Sequence, residues 1–89
     1  MNQEYKTRDL AEATALITSG NSLIGIKRDG KVCFFFFENK EKCIEISNKY
    51  FFGELTVNAR NFYEAMVRLK NRIFQWKNSM KIKLKLKWN

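Results

Sequence analysis

Eighty-nine residues with no proline, four glycines and 45% hydrophobic side chains bound this chain to one small folded domain, with a stability on the order of a few kcal/mol. Eight phenylalanines and two tryptophans exclude a disordered chain, and the absence of histidine removes the commonest general base and metal ligand. The formal net charge of +8 is uneven: residues 1–70 are nearly neutral at +2, whereas residues 71–89 hold six Lys/Arg and no acid.

Tyr5 to Arg8 reads as a short strand. Asp9, followed three residues later by Glu12, forms an aspartate variant of the capping box and predicts a helix from Leu10. Leu10, Ala13, Leu16 and Ile17 give that helix its apolar stripe, and Gly20 offers the left-handed position that stops it. Ser22 to Arg28 and Lys31 to Glu38 are strand-like runs joined by Asp29-Gly30, the pairing that suits a type I′ hairpin turn. In the second run Val32, Phe34 and Phe36 point one way, and Cys33, Phe35 and Phe37 the other. Both faces are apolar, so the strand requires cover on both sides or a partner on one.

Asn39 caps a second predicted helix with Cys43, Ile44, Ser47, Tyr50 and Phe51 on one side and Gly53 as its stop. Residues 53–57 form a connector or a short strand. Asn58 then caps a longer helix whose apolar positions, Phe62, Ala65, Met66, Leu69, Ile73 and Trp76, fall at three-and-four spacing. Arg60, Glu64, Arg68 and Arg72 make an i+4 row on another side of it. Past a hinge at Asn78-Ser79 the period becomes two, with Lys81, Lys83, Lys85 and Lys87 alternating with Ile82, Leu84, Leu86 and Trp88. The expected fold is α+β in the order βαββαα, a mainly antiparallel sheet packed by helices, with a core over residues 1–77 and a lysine-rich C-terminal strand or tail over 78–89.

Catalytic equipment is missing. Cys33 and Cys43 lack CxxC spacing and a histidine partner, and read as reduced packing thiols in a chain whose start carries no secretory signal. The glycines match no phosphate-binding loop, no G-x-S-x-G elbow occurs, and Glu38 and Glu41 suit a helix N-terminus rather than paired acid-base work. No enzyme activity, cofactor, metal or small-molecule substrate is expected, and no apolar run approaches membrane-spanning length.

Four segments, Tyr5 to Leu10 with its Thr7-Arg8-Asp9-Leu10 core, Asp29-Gly30 before the aromatic strand, Asn48 to Leu55 with Gly53 two residues before its end, and Leu69 to Ile73, stand in an order and spacing that resemble a family of short bacterial and phage proteins of unassigned activity. The resemblance covers about residues 5–74. It implies a small α+β fold and a bacterial, phage or mobile-element origin, and it transfers no site residues; with no secretory signal at the start, residence in the bacterial cytoplasm is expected. Beyond about residue 76 the chain departs from the family pattern.

The lysine segment is the sharpest functional signal. On one strand face Lys81, Lys83, Lys85 and Lys87 would stand about 6.6 to 6.8 Å apart, near the separation of neighbouring phosphates on an extended backbone, with Lys77 and Arg72 as a helical extension. Non-specific nucleic-acid binding, an edge strand whose lysines block aggregation, and a less favoured anionic membrane surface all suit such a strand. The tetraphenylalanine run could stack bases, although a core strand is its commoner use. Two functions are therefore carried forward: electrostatic association with nucleic acid or a nucleic-acid-bound machine, and a protein-binding inhibitor or regulator that works by surface complementarity or strand addition.

Overall fold

The computed structural model describes residues 3–78. It contains β1 (Tyr5–Thr7), α1 (Leu10–Thr18), β2 (Leu23–Asp29), β3 (Val32–Phe37), α2 (Lys40–Phe51) and α3 (Ala59–Asn78), the expected βαββαα order of an α+β domain. The expected C-terminal strand lies outside the described residues. The three strands form one antiparallel sheet in the order β1-β3-β2, so β1 and β2 run parallel on either side of β3, joined by α1.

Register assigns the faces. Tyr5 and Leu23 flank Phe37, and Thr7 and Ile26 flank Phe35. These rows point toward the helices. Phe35 and Phe37 are fully buried in one cluster with Ala13 and Leu16 of α1, Cys43 of α2 and Leu69 of α3, and Tyr5, Leu10, Leu23, Ile26, Ile46 and Ile73 pack around it. Residues of the opposite parity, Val32, Phe34 and Phe36, are only half-buried and take no part in the cluster. The two-faced strand is therefore covered by helices on one face among the described residues.

The helix termini follow their sequence signals. Asp9 accepts from the Glu12 amide at 3.0 Å, Asn39 from the Lys42 amide at 3.3 Å and Asn58 from the Asn61 amide at 3.0 Å, each satisfying an otherwise orphaned first-turn donor. At the end of α2, Gly53 takes φ +73° while its amide donates to Tyr50 and the Glu54 amide to Lys49, the paired bonds of a Schellman closure. Residues 54–58 form no strand and are a connector.

Two local expectations are corrected, the hairpin turn and the inward side of α2, and β2 carries a bulge besides. The hairpin turn is Gly30-Lys31, one residue later than Asp29-Gly30, because Asp29 still pairs with Val32. Gly30 has φ +67° and Lys31 does not take a positive φ, the pattern of a type II′ turn, which also matches strand twist but needs glycine only at its first central position. In β2, a bulge at Ile24 separates the pairs Leu23 with Phe37 and Gly25 with Phe36. Leu23 and Ile26 are three apart and would face opposite ways on a regular strand; the extra residue brings both inward and leaves Ile24 48% exposed. On α2 the inward side runs through Cys43, Ile46, Ser47 and Tyr50, while Ile44 and Phe51, expected on it, are exposed. Positions i, i+3, i+4 and i+7 share a face, and Ile44 and Phe51 sit one step around the helix from it.

Gly53 offers a clean test of the α2 closure, since a Cβ added there meets nothing within 4 Å and any cost comes from backbone conformation alone. Gly53→Ala is expected to lower the urea-derived unfolding free energy by about 1 kcal/mol. An unchanged midpoint would show that the left-handed residue contributes nothing.

Candidate nucleic-acid interface

The described part of the chain contains one polar cluster that no local pattern suggests. Glu12, in the first turn of α1, is 4% exposed, and its carboxylate accepts hydrogen bonds from the hydroxyls of Tyr5 and Thr7 on β1 and of Ser47 on α2, with Thr7 Oγ1 at 2.6 Å. The capping box is thus half made. Asp9 caps Glu12, but Glu12 turns inward instead of returning to the Asp9 amide, and that amide donates to Thr7 Oγ1 at 3.1 Å. Thr7 therefore relays between the start of α1 and the buried carboxylate.

A buried carboxylate costs several kcal/mol unless its oxygens are occupied, and three hydroxyl donors supply that compensation with no cation in hydrogen-bonding reach among the described residues. Burial, then the bond to Glu12, holds the Tyr5 hydroxyl above its ordinary pKa, and burial with the nearby Glu12 charge does the same to the Cys43 thiol. Cys43 is a free, buried thiol that donates to the Glu38 carbonyl at 3.4 Å, and Cys33 is free and half-buried. A thiol kept protonated by its surroundings makes a poor nucleophile. This cluster ties β1, α1 and α2 together, with Thr7, Glu12 and Ser47 buried and Tyr5 half-buried.

The surface carries the binding candidates. Arg72 is exposed on α3, and Lys77 belongs to the last turn of that helix; Lys81, Lys83, Lys85 and Lys87 lie outside the described residues. Along the α3 row, Arg60 is paired with Glu64 at 3.0 Å between exposed side chains, the commonplace use of i+4 charges. Arg68 and Arg72, farther along, are exposed and form no ion pair among the described residues.

Register and burial together assign the Phe faces. Outward Phe36 lies between Lys6 and Gly25, and outward Phe34 is paired with Lys27. Lys6 Nζ stands 5.0 Å from the centroid of the Phe34 ring. Phe36 shares an open depression of about 380 Å³ with Glu4, Ile24, Gly25, Ile26 and Lys27. The alternation of β3 against Lys6 and Lys27 is the signal that could have identified this face. Separately, Phe51 (61% exposed), Phe52 (77%) and Tyr63 (67%) leave large aromatic surface in water at the end of α2 and on α3.

These elements define a small α+β domain with a polar core clamp and an aromatic outer sheet face. The chain belongs to the DUF5659 family, a domain of unknown function, whose profile matches residues 2–75. No curated protein and no solved structure matches it. No helix among the described residues is long and apolar enough to cross a membrane, and no group of three or more Cys, Asp or Glu among them could hold a metal ion.

The clamp predicts its own energetics. Ser47→Ala is expected to lower stability by about 1.5 to 3 kcal/mol, the range for a buried hydrogen bond to a charged group, measured by urea unfolding; a loss below about 0.5 kcal/mol, the size of an ordinary surface substitution, would contradict it. The pH dependence follows from the raised hydroxyl. Above pH 10, the ordinary tyrosine value, Tyr5 ionises in the unfolded chain while the folded state retains its proton, so stability falls as pH rises toward the folded value. Tyr5→Phe should flatten that alkaline decline, and an unaltered slope would argue against the bond.

Proposed function

We propose that the protein associates with nucleic acid, or with a machine assembled on it, through non-specific electrostatic contacts, as a non-catalytic accessory factor of a phage or mobile element in the bacterial cytoplasm. The observation that carries this reading is the segregation of charge: residues 71–89 contribute +6 without one acid, and residues 1–70 only +2. Exposed Arg68 lies one turn before exposed Arg72, the first cation of that segment, and neither is consumed by an ion pair among the described residues. Lys81, Lys83, Lys85 and Lys87 are the principal phosphate contacts in this reading, with Lys77 and Arg72 extending them. Such contacts release counterions and read no sequence.

A protein-binding role is the second reading, and the exposed rings of Phe51, Phe52 and Tyr63 favour it, since aromatic anchors dominate protein interfaces. In that case an inhibitor or regulator would act by surface complementarity.

A filter-binding salt titration separates the two. Four phosphate contacts give a slope of log K against log salt near about −3.6 on duplex and −2.8 on single strands. Replacing Lys81, Lys83, Lys85 and Lys87 with glutamine should remove most of that slope. Retention unchanged by the replacement at about 50 mM salt would eliminate the nucleic-acid reading, whereas a nuclease-resistant protein partner lost in Phe51→Ser/Phe52→Ser would favour the second.

A further inference from the structure

An antiparallel sheet with one face on the core ordinarily turns polar side chains to water. Here the outward side of β3 is Val32, Phe34 and Phe36, and each phenylalanine has a lysine directly across on a flanking strand, Lys6 beside Phe36 and Lys27 beside Phe34. Both lysines are exposed. Phe34 already holds a cation against its ring, Lys6 Nζ at 5.0 Å. Gly25 leaves the other flank of Phe36 open: no side chain stands there, and an added Cβ would meet nothing within 4 Å. The bulge at Ile24 sets this register, so the feature that seats Leu23 and Ile26 in the core also places Gly25 next to Phe36.

Flat rings alternating with cations match a polymer in which flat bases alternate with phosphates. Phe34 and Phe36 are two residues apart on one strand face, about 6.6 to 6.8 Å, a spacing an unstacked single strand can follow. Duplex bases are paired and stacked inside the helix and cannot lie on such a face. We propose that the outer sheet face is a single-strand nucleic-acid platform, on which one base stacks on Phe36 and the next on Phe34, displacing the Lys6 ammonium from that ring to an adjoining phosphate, while Lys27 neutralises the other. Glu4, the acid at the rim of the depression, repels the backbone from that end and biases its path toward Lys27. The proposal rests on the nucleic-acid reading above and narrows it: the lysine-rich segment contributes affinity for any phosphate chain, and the sheet selects the single strand.

Fluorescence anisotropy of the full chain, with a labelled oligothymidylate of about 15 nucleotides and a duplex of about 15 base pairs, tests it. Phe34→Leu/Phe36→Leu keeps the face apolar and removes the rings. The expected result is about a tenfold or greater loss of single-strand affinity with duplex affinity unchanged. Lys6→Gln/Lys27→Gln, confined to exposed side chains, should weaken single-strand binding and make its salt slope shallower. Unchanged single-strand affinity in a folded Phe34→Leu/Phe36→Leu protein overturns the platform; if binding still falls on replacement of the tail lysines, the broader reading survives. Should the phenylalanine variant not fold, unchanged affinity in the lysine variant overturns it equally. Wild type that binds neither form at low salt removes both proposals. Ring protons of Phe34 and Phe36 shielded from a soluble paramagnetic probe in the free protein would assign the face to a second copy or to residues 79–89, and would also overturn it.

Discussion

The buried carboxylate of Glu12 is the constraint on which the rest of the fold depends. Its three hydroxyl partners come from β1 and α2, and its own backbone is held by the Asp9 cap at the start of α1. A carboxylate removed from water is tolerated only when every donor arrives together, so the strand and both helices must assemble in one arrangement. Ser47 lies 35 residues from Glu12, and that long-range bond docks α2 beside α1. Once β1 is held this way, Thr7 and Tyr5 fall in register with Phe35 and Phe37, and the inner face of the sheet is determined.

From that choice of inner face follows the character of the outer one. Period two leaves Phe34 and Phe36 outward as soon as Phe35 and Phe37 turn inward. The chain could have carried polar residues there, as Lys6 and Lys27 do on the flanking strands. It places two aromatic rings instead, bracketed by those lysines and by a glycine. Hydrophobic area on a solvent face destabilises nothing directly, but it promotes association, and a small domain that retains it has a surface suited to a partner. The near-neutral domain and the strongly basic end thus offer different things: a pair of half-buried outward rings beside an open depression, and a dense source of positive charge.

Features legible in the sequence were those decided within a few residues. Caps at Asp9, Asn39 and Asn58, the stop at Gly53, the βαββαα order and the stripe of α3 from Phe62 to Ile73 depend on local spacing, and the structure has them. The family segments acquire physical reasons: Thr7 and Asp9 serve the Glu12 clamp, Gly53 closes α2, and Leu69 and Ile73 pack the core. What local spacing could not show was decided by distant packing. The bulge at Ile24 answers the need to seat both Leu23 and Ile26 against the helices, and the clamp uses Tyr5, Thr7, Glu12 and Ser47, residue types too common to signal a pairing. The turn moved by one residue because the Asp29 with Val32 pair extends the ladder. Of the charged candidates only Arg72 has a described side chain, so the strand geometry of Lys81 to Lys87 is a reading of the sequence alone.

The two surfaces are joined in one claim, that a single nucleic-acid strand is held by the sheet and the basic C-terminal residues together. An NMR titration of isotope-labelled full-length protein with oligothymidylate examines both at once. The account predicts shift changes centred on Lys6, Lys27, Phe34 and Phe36 and on the C-terminal lysines, with the Glu12 cluster unmoved. A spectrum that does not respond, or one whose changes gather at Phe51, Phe52 and Tyr63, would contradict it.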